Sequence, residues 1–189
     1  MRLFVAIELP SPMTTAAHAL SEELRARIAS LAPGARLTWV PPERMHVTVR
    51  FLGDLPEEQA AGVATVLAPP LTVPAFDVSV GTAGAFPARG APRTLWVGLT
   101  GAGDRLLDLE QEVSARLAAV GIPRERRSFR AHLTVARVRE PAGLPASVVD
   151  GVVAPPHPLG RIDAITLFES RLSPRGPTYT ALQRTSLQG

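Results

Sequence analysis

Two short stretches of the sequence carry side chains suited to moving protons and holding an anion. Arg44-Met45-His46-Val47-Thr48-Val49 and Arg130-Ala131-His132-Leu133-Thr134-Val135 both read R-x-H-x-T-V, with their histidines 86 residues apart (132 − 46). In an extended chain alternate side chains share a face. Arg44, His46, Thr48 and Arg50 are therefore expected on one face, and Met45, Val47, Val49 and Phe51 on the other. In the second copy Arg130, His132 and Thr134 share a face, with Leu133, Val135 and Arg137 opposite. Each strand would offer an apolar side to a helix and a side of guanidinium, imidazole and hydroxyl to a cleft. That set of groups suits a phosphodiester. Arginine and threonine donate to phosphate oxygens. Two imidazoles with ordinary pKa near 6.5 can divide the work of general base and general acid.

The rest of the composition narrows the chemistry. No cysteine is present, which removes disulfides, thiolate metal sites and a cysteine nucleophile. All 20 basic residues are arginine, so Schiff-base and lysine-nucleotidyl chemistry are also excluded, and the net charge is only +3. No H-E-x-x-H motif or acidic cluster suggests a metal, and neither metal nor cofactor is expected. The longest early apolar run, Leu3 to Ile7, is too short for a secretory signal or a membrane span. A cytoplasmic chain with no membrane partner, active as a monomer, is expected.

The elements that must position these groups follow from hydrophobic periodicity. Strands are expected at Arg2–Leu9, Leu37–Val40, Met45–Leu52, Phe76–Val80, Thr94–Leu99, Phe129–Val138, Ile162–Glu169 and Tyr179–Thr185. A helix capped at Ser11-Pro12 carries the stripe Leu20, Leu24, Ile28, Leu31, and a second opens at Pro56. A third runs from Asp104, buries Leu106, Leu109, Val113, Leu117 and Val120, and stops at Gly121. A short helical piece is expected near Ala146–Val153. Strands and helices mix without a βαβ rhythm, which indicates an antiparallel α+β fold. The 86-residue offset also links Arg89-Gly90 to Arg175-Gly176. Two signals at one offset suggest a single domain of two related halves, about 1–99 and 100–189, with a pseudo-twofold axis.

At these residues the chain resembles the RNA 2′,3′-cyclic phosphodiesterases, also called 2′-5′ RNA ligases, of the two-histidine phosphoesterase superfamily. The resemblance rests on H-V-T-V-R-F-L-G at His46 to Gly53 and F-R-A-H-L-T-V-A-R-V at Phe129 to Val138. It extends to R-L-F-V-A-I-E-L near the start and G-P-T-Y-T-A-L near the end. It implies a bilobal α+β fold, with an antiparallel sheet in each lobe, helices on the outer faces and both motifs lining a central cleft. It also implies cofactor-independent hydrolysis of a 2′,3′-cyclic phosphate to a 2′-phosphomonoester, with reverse 2′-5′ joining as a secondary activity. On this likeness His46 is the proton donor to the departing 3′ oxygen and His132 is the base that activates water. Thr48 and Thr134 orient the phosphate, and Arg130 contacts it. Relatives often carry proline where this chain has Ala131, a mild departure.

Alternatives stay open at this stage. The substrate could be an RNA end or a small cyclic nucleotide such as ADP-ribose 1″,2″-cyclic phosphate. The same cleft could also bind an RNA end without reacting. Arg44 and Arg50 are equally readable as site or surface residues. Arg89 and Arg175 are candidates for RNA binding only through their shared offset. Trp39 and Phe51 are expected in the core, His18 on the surface and His157 in a loop.

Overall fold

A computed structural model describes residues 1–154, 159–173 and 176–189. His157 and Arg175 lie outside the described residues. Among the described residues there are nine strands and three α-helices. In chain order they are β1 (Arg2–Glu8), α1 (Ser11–Leu31), β2 (Arg36–Trp39), β3 (His46–Asp54), α2 (Glu57–Leu67), β4 (Phe76–Phe86), β5 (Thr94–Thr100), α3 (Arg105–Ala118), β6 (His132–Glu140), β7 (Leu159–Ile162), β8 (Ala164–Ser173) and β9 (Gly176–Ser186). Single 3-10 turns lie at Pro42–Arg44 and Ala146–Val149.

The named strands pair antiparallel, in the order β7-β4-β5-β6-β3-β1-β8-β9, with β2 added along β6. This order is symmetric about its centre. β3 answers β6, β1 answers β5, β8 answers β4 and β9 answers β7. The sheet therefore forms two lobes, and the named strands join them at one residue pair, Val47 with Leu133. Each lobe draws strands from both parts of the chain: β1 and β3 lie with β8 and β9, while β4 and β5 lie with β6 and β7.

The helices cross between lobes in the same way. α1 follows β1 but packs on β4, β6 and β7, whereas α3 follows β5 and packs on β3 beside α2. α1 buries Met13, Ala16, Ala17, Leu20, Leu24 and Ile28 against that surface. Leu31, expected in the same stripe, is instead 62% exposed in the last turn. α3 buries Leu106, Leu109, Val113 and Leu117 as expected, but it ends at Ala118, so Val120 lies beyond it and is only half-buried. Burying such side chains contributes roughly 1.5–3 kcal/mol each, which fixes the outer face of the sheet and leaves the inner face free for chemistry.

Several boundaries differ from expectation. β6 begins at His132 rather than Phe129, and β4 extends past Val80 to Phe86. Residue Ile162 closes a separate short strand, β7, instead of opening β8. The more consequential difference lies inside the two motif strands. In β1–β3 the register runs Ala6 to Thr48 but Val5 to Arg50, so Val49 is an extra residue. In β5–β6 it runs Trp96 to Thr134 but Leu95 to Ala136, so Val135 is the extra residue. Both strands carry a bulge at the same place in the motif. A bulge reverses the alternation beyond it. Both strands accordingly have two successive buried residues, Val49-Arg50 and Val135-Ala136.

Candidate functional site

The Val47–Leu133 pair organises the site. Both side chains are fully buried on the core side. Residues flanking a paired position in each strand point to the opposite face. His46, Thr48, His132 and Thr134 therefore project together into the cleft between the lobes, and all four line it. The symmetry of the sheet sets each motif's histidine toward the other motif's threonine. The cleft encloses about 490 Å³, within the roughly 300–1,000 Å³ range of small-ligand sites.

Each imidazole is held in the same way. His46 Nδ1 lies 2.8 Å from the Arg44 carbonyl oxygen, and His132 Nδ1 lies 2.6 Å from that of Arg130. A carbonyl oxygen only accepts, so Nδ1–H must donate in both cases. That leaves Nε2 as the atom that takes or gives a proton. Aromatic rings pack against both imidazoles. The His46 ring stands 5.1 Å from Phe4 and edge-on to Tyr179 at 5.3 Å. The His132 ring stands edge-on to Phe86 at 5.2 Å and lies 6.1 Å from Trp96. Trp96 fits only because residue 84 is glycine: a Cβ there would overlap the indole. None of these four aromatic residues is marked by the motif spacing. They lie on four different strands, so sequence distance conceals their convergence.

The charge of the cleft is one-sided. Arg2, Arg44, Arg137 and Arg139 line it, and no described lining residue is acidic. Burial pushes the His46 imidazole below its ordinary pKa. The hydrogen bond to Arg44 works against that, Arg137 adds to it, Glu8 opposes it and His132 adds a little more. The unliganded cleft thus favours a neutral His46, and an anion entering between the arginines would reverse part of that bias.

The bulges relocate several expected residues. Arg50 is not in the cleft but buried behind it at 4% exposure, where it donates to the Pro123 carbonyl and approaches Glu110 and Glu125. Phe51, expected in the core, is 46% exposed and lines the cleft, with the Arg2 guanidinium 5.1 Å from its ring. Arg137, assigned by simple alternation to the apolar face, swings into the cleft. Trp39 is only partly buried; it lines the cleft and stacks under Arg25 at 4.7 Å. The Arg130 side chain is exposed ahead of β6 and is not among the lining residues; its carbonyl is what reaches His132. The Arg44 guanidinium lines the cleft and donates to the Pro177 carbonyl at 3.1 Å, tying the start of β3 to the start of β9. Arg89 is exposed in the β4–β5 connection, away from the lining residues. His18 is half-buried on α1 and also lies apart from the cleft.

Comparison with known proteins places this arrangement among relatives. The family model of the 2′-5′ RNA ligase superfamily matches residues 13–173. An RNA 2′,3′-cyclic phosphodiesterase of Archaeoglobus fulgidus is 31% identical over 183 residues, covering 97% of this chain and 98% of that protein. One of Thermus thermophilus is 32% identical, covering 100% and 91%. Among solved structures, TT0787 of Thermus thermophilus superimposes with a TM-score of 0.76 at 29% identity, covering 100% of this chain and 99% of that one. Escherichia coli LigT, solved with 3′-AMP, shares the fold at a TM-score of 0.73 and 23% identity, covering 100% and 98%.

Proposed function

This chain belongs to the 2′-5′ RNA ligase superfamily and is an enzyme of the RNA 2′,3′-cyclic phosphodiesterase type, and we propose that it opens RNA 2′,3′-cyclic phosphate ends to 2′-phosphomonoesters with two histidines and no metal. The observation that carries this reading is the joint projection of His46, Thr48, His132 and Thr134 into one cleft lined by arginine and free of described carboxylates.

In this mechanism the threonine hydroxyls and the Arg137 guanidinium hold the non-bridging phosphate oxygens. His132 Nε2 takes a proton from water as its oxygen bonds to phosphorus. The bond from phosphorus to the 3′ oxygen breaks in line, and His46 Nε2–H protonates that oxygen. The product keeps its phosphate on the 2′ oxygen, and the two imidazoles exchange their protons through solvent before the next turn. A 5′-hydroxyl in place of water would give the reverse 2′-5′ joining by the same steps. The exposed Phe51 ring supplies a shelf on which a base could stack, a contact worth roughly 1–3 kcal/mol.

The test is incubation with an oligoribonucleotide ending in a 2′,3′-cyclic phosphate, in excess chelator. The expected product is the 2′-monoester at an undiminished rate. A 3′-monoester, or a rate abolished by chelator and restored by a divalent ion, overturns the proposal.

A further inference from the structure

The two histidines share backbone, tautomer and aromatic bracing, yet the proposed reaction asks opposite things of them. Something outside the motifs must break the tie. The cross-strand neighbours differ: in the β1–β3 ladder His46 is paired with Glu8, and in the β5–β6 ladder His132 is paired with Gly98. Directly opposed residues on one face bring their Cβ atoms within roughly 4.5–5.5 Å of each other. Glu8 and His46 also line a second hollow together. The Glu8 carboxylate is held in place there, because the Thr166 hydroxyl donates to its Oε2 at 2.6 Å. Thr166 is buried on β8, so this anchor is rigid.

We infer that Glu8 is a positioning residue that favours the proton on His46 over its loss, so that His46 serves as the acid while His132, facing glycine, serves as the base. The inference rests on the function proposed above and names what assigns its two roles. The other groups facing His46 do not make this distinction. Arg137 and His132 from β6 oppose an added positive charge, and the substrate phosphate would offset them on binding. The Arg44 guanidinium is engaged with Pro177, and Tyr179 offers its ring edge. Glu43 lines the same hollow as Glu8 but sits in the turn before β3, outside the ladder. Glu8 also works in the right direction, because it raises the tendency of His46 to hold a proton.

The experiment titrates the imidazoles directly by NMR in the wild type, Glu8→Gln, Glu8→Asp and Thr166→Val, and follows kcat/KM against pH on cytidine 2′,3′-cyclic phosphate. The expected result for Glu8→Gln is a lower titration midpoint for His46 and an unmoved midpoint for His132. The limb of kcat/KM set by His46 should move to lower pH, because that imidazole loses its proton sooner, while the limb set by His132 stays in place. Glu8→Asp restores the midpoint in part, and Thr166→Val moves it in the same direction as Glu8→Gln by a smaller amount. An unchanged His46 midpoint, or an equal shift at both histidines, overturns the inference. The NMR reading needs no turnover, so failure of the proposed activity and failure of this inference are separable.

Discussion

The strands β3 and β6 are near copies as far as their bulges and differ in nearly every neighbour beyond them. Both present His-x-Thr to the cleft, both seat Nδ1–H on the carbonyl two residues back, and both insert one extra valine. Past the bulge, β3 offers Phe51 to the cleft and buries Arg50, whereas β6 offers Arg137 and buries Ala136. Across the ladder, Glu8 faces one histidine and Gly98 the other. A phosphate has enough symmetry to be gripped by a duplicated frame. Its hydrolysis has none, since one oxygen arrives and another leaves. On the function proposed above, the shared part of the two strands would grip the phosphate and move protons, and the differing part would set direction and substrate choice.

The largest effects should fall on the shared histidines and reveal their different duties. His46→Ala and His132→Ala are each expected to slow turnover of a 2′,3′-cyclic nucleotide by about 10²–10⁴. A nitrophenyl phosphodiester, whose leaving group departs without a proton, should recover most of its rate in His46→Ala and little in His132→Ala. Equal recovery in both variants would erase the functional distinction between the strands.

The residues beyond the bulges come next. Arg137→Ala should lower kcat/KM by about 10- to 150-fold, the worth of a charge-assisted contact of roughly 1.5–3 kcal/mol, on any cyclic phosphate. Phe51→Ala should raise KM only for substrates that carry a base, by the roughly 1–3 kcal/mol of one stacked ring. Steady-state kinetics on a nucleoside cyclic phosphate and on glycerol 1,2-cyclic phosphate separate the two. A loss on the base-free substrate in Phe51→Ala would mean that Phe51 shapes the fold and does not bind substrate.

The smallest effect concerns stability. The folded imidazole of His46 binds its proton less tightly than the ordinary value near 6.5. Between that value and the lowered one the unfolded chain takes up more protons, so stability is full above about pH 6.5 and declines as pH falls through this window. His46→Gln should flatten that decline in denaturant titrations run from pH 7 to pH 5. An unaltered slope would show that His46 does not contribute to it.

Much of the site was legible in the sequence because its core is a local pattern used twice. His46, Thr48, His132 and Thr134 could be placed on one face from alternation alone, and the strands bearing them were found to within a few residues. The residues misplaced by alternation are those just beyond the bulges, where one inserted residue flips the side chains that follow it, Arg50 and Phe51 in β3 and Ala136 and Arg137 in β6. In β6 the slip left a trace: the apolar positions run Leu133, Val135, then Ala136 and Val138, changing phase midway. In β3 the same slip was hidden, because the residue sent inward is Arg50 and the residue sent outward is Phe51. A charge buried with the Pro123 carbonyl, Glu110 and Glu125 nearby defeats any rule based on polarity. The aromatic braces and Glu8 were illegible for another reason: their partners are set by ladder register between distant strands.

The exchange of β4, β8 and the long helices between lobes carries a last implication. Cutting the chain between β4 and β5 would leave each fragment with strands whose ladder partners lie on the other. A half-length chain of this design could assemble the cleft only by interlocking with a second copy, each lending the other a strand and a helix.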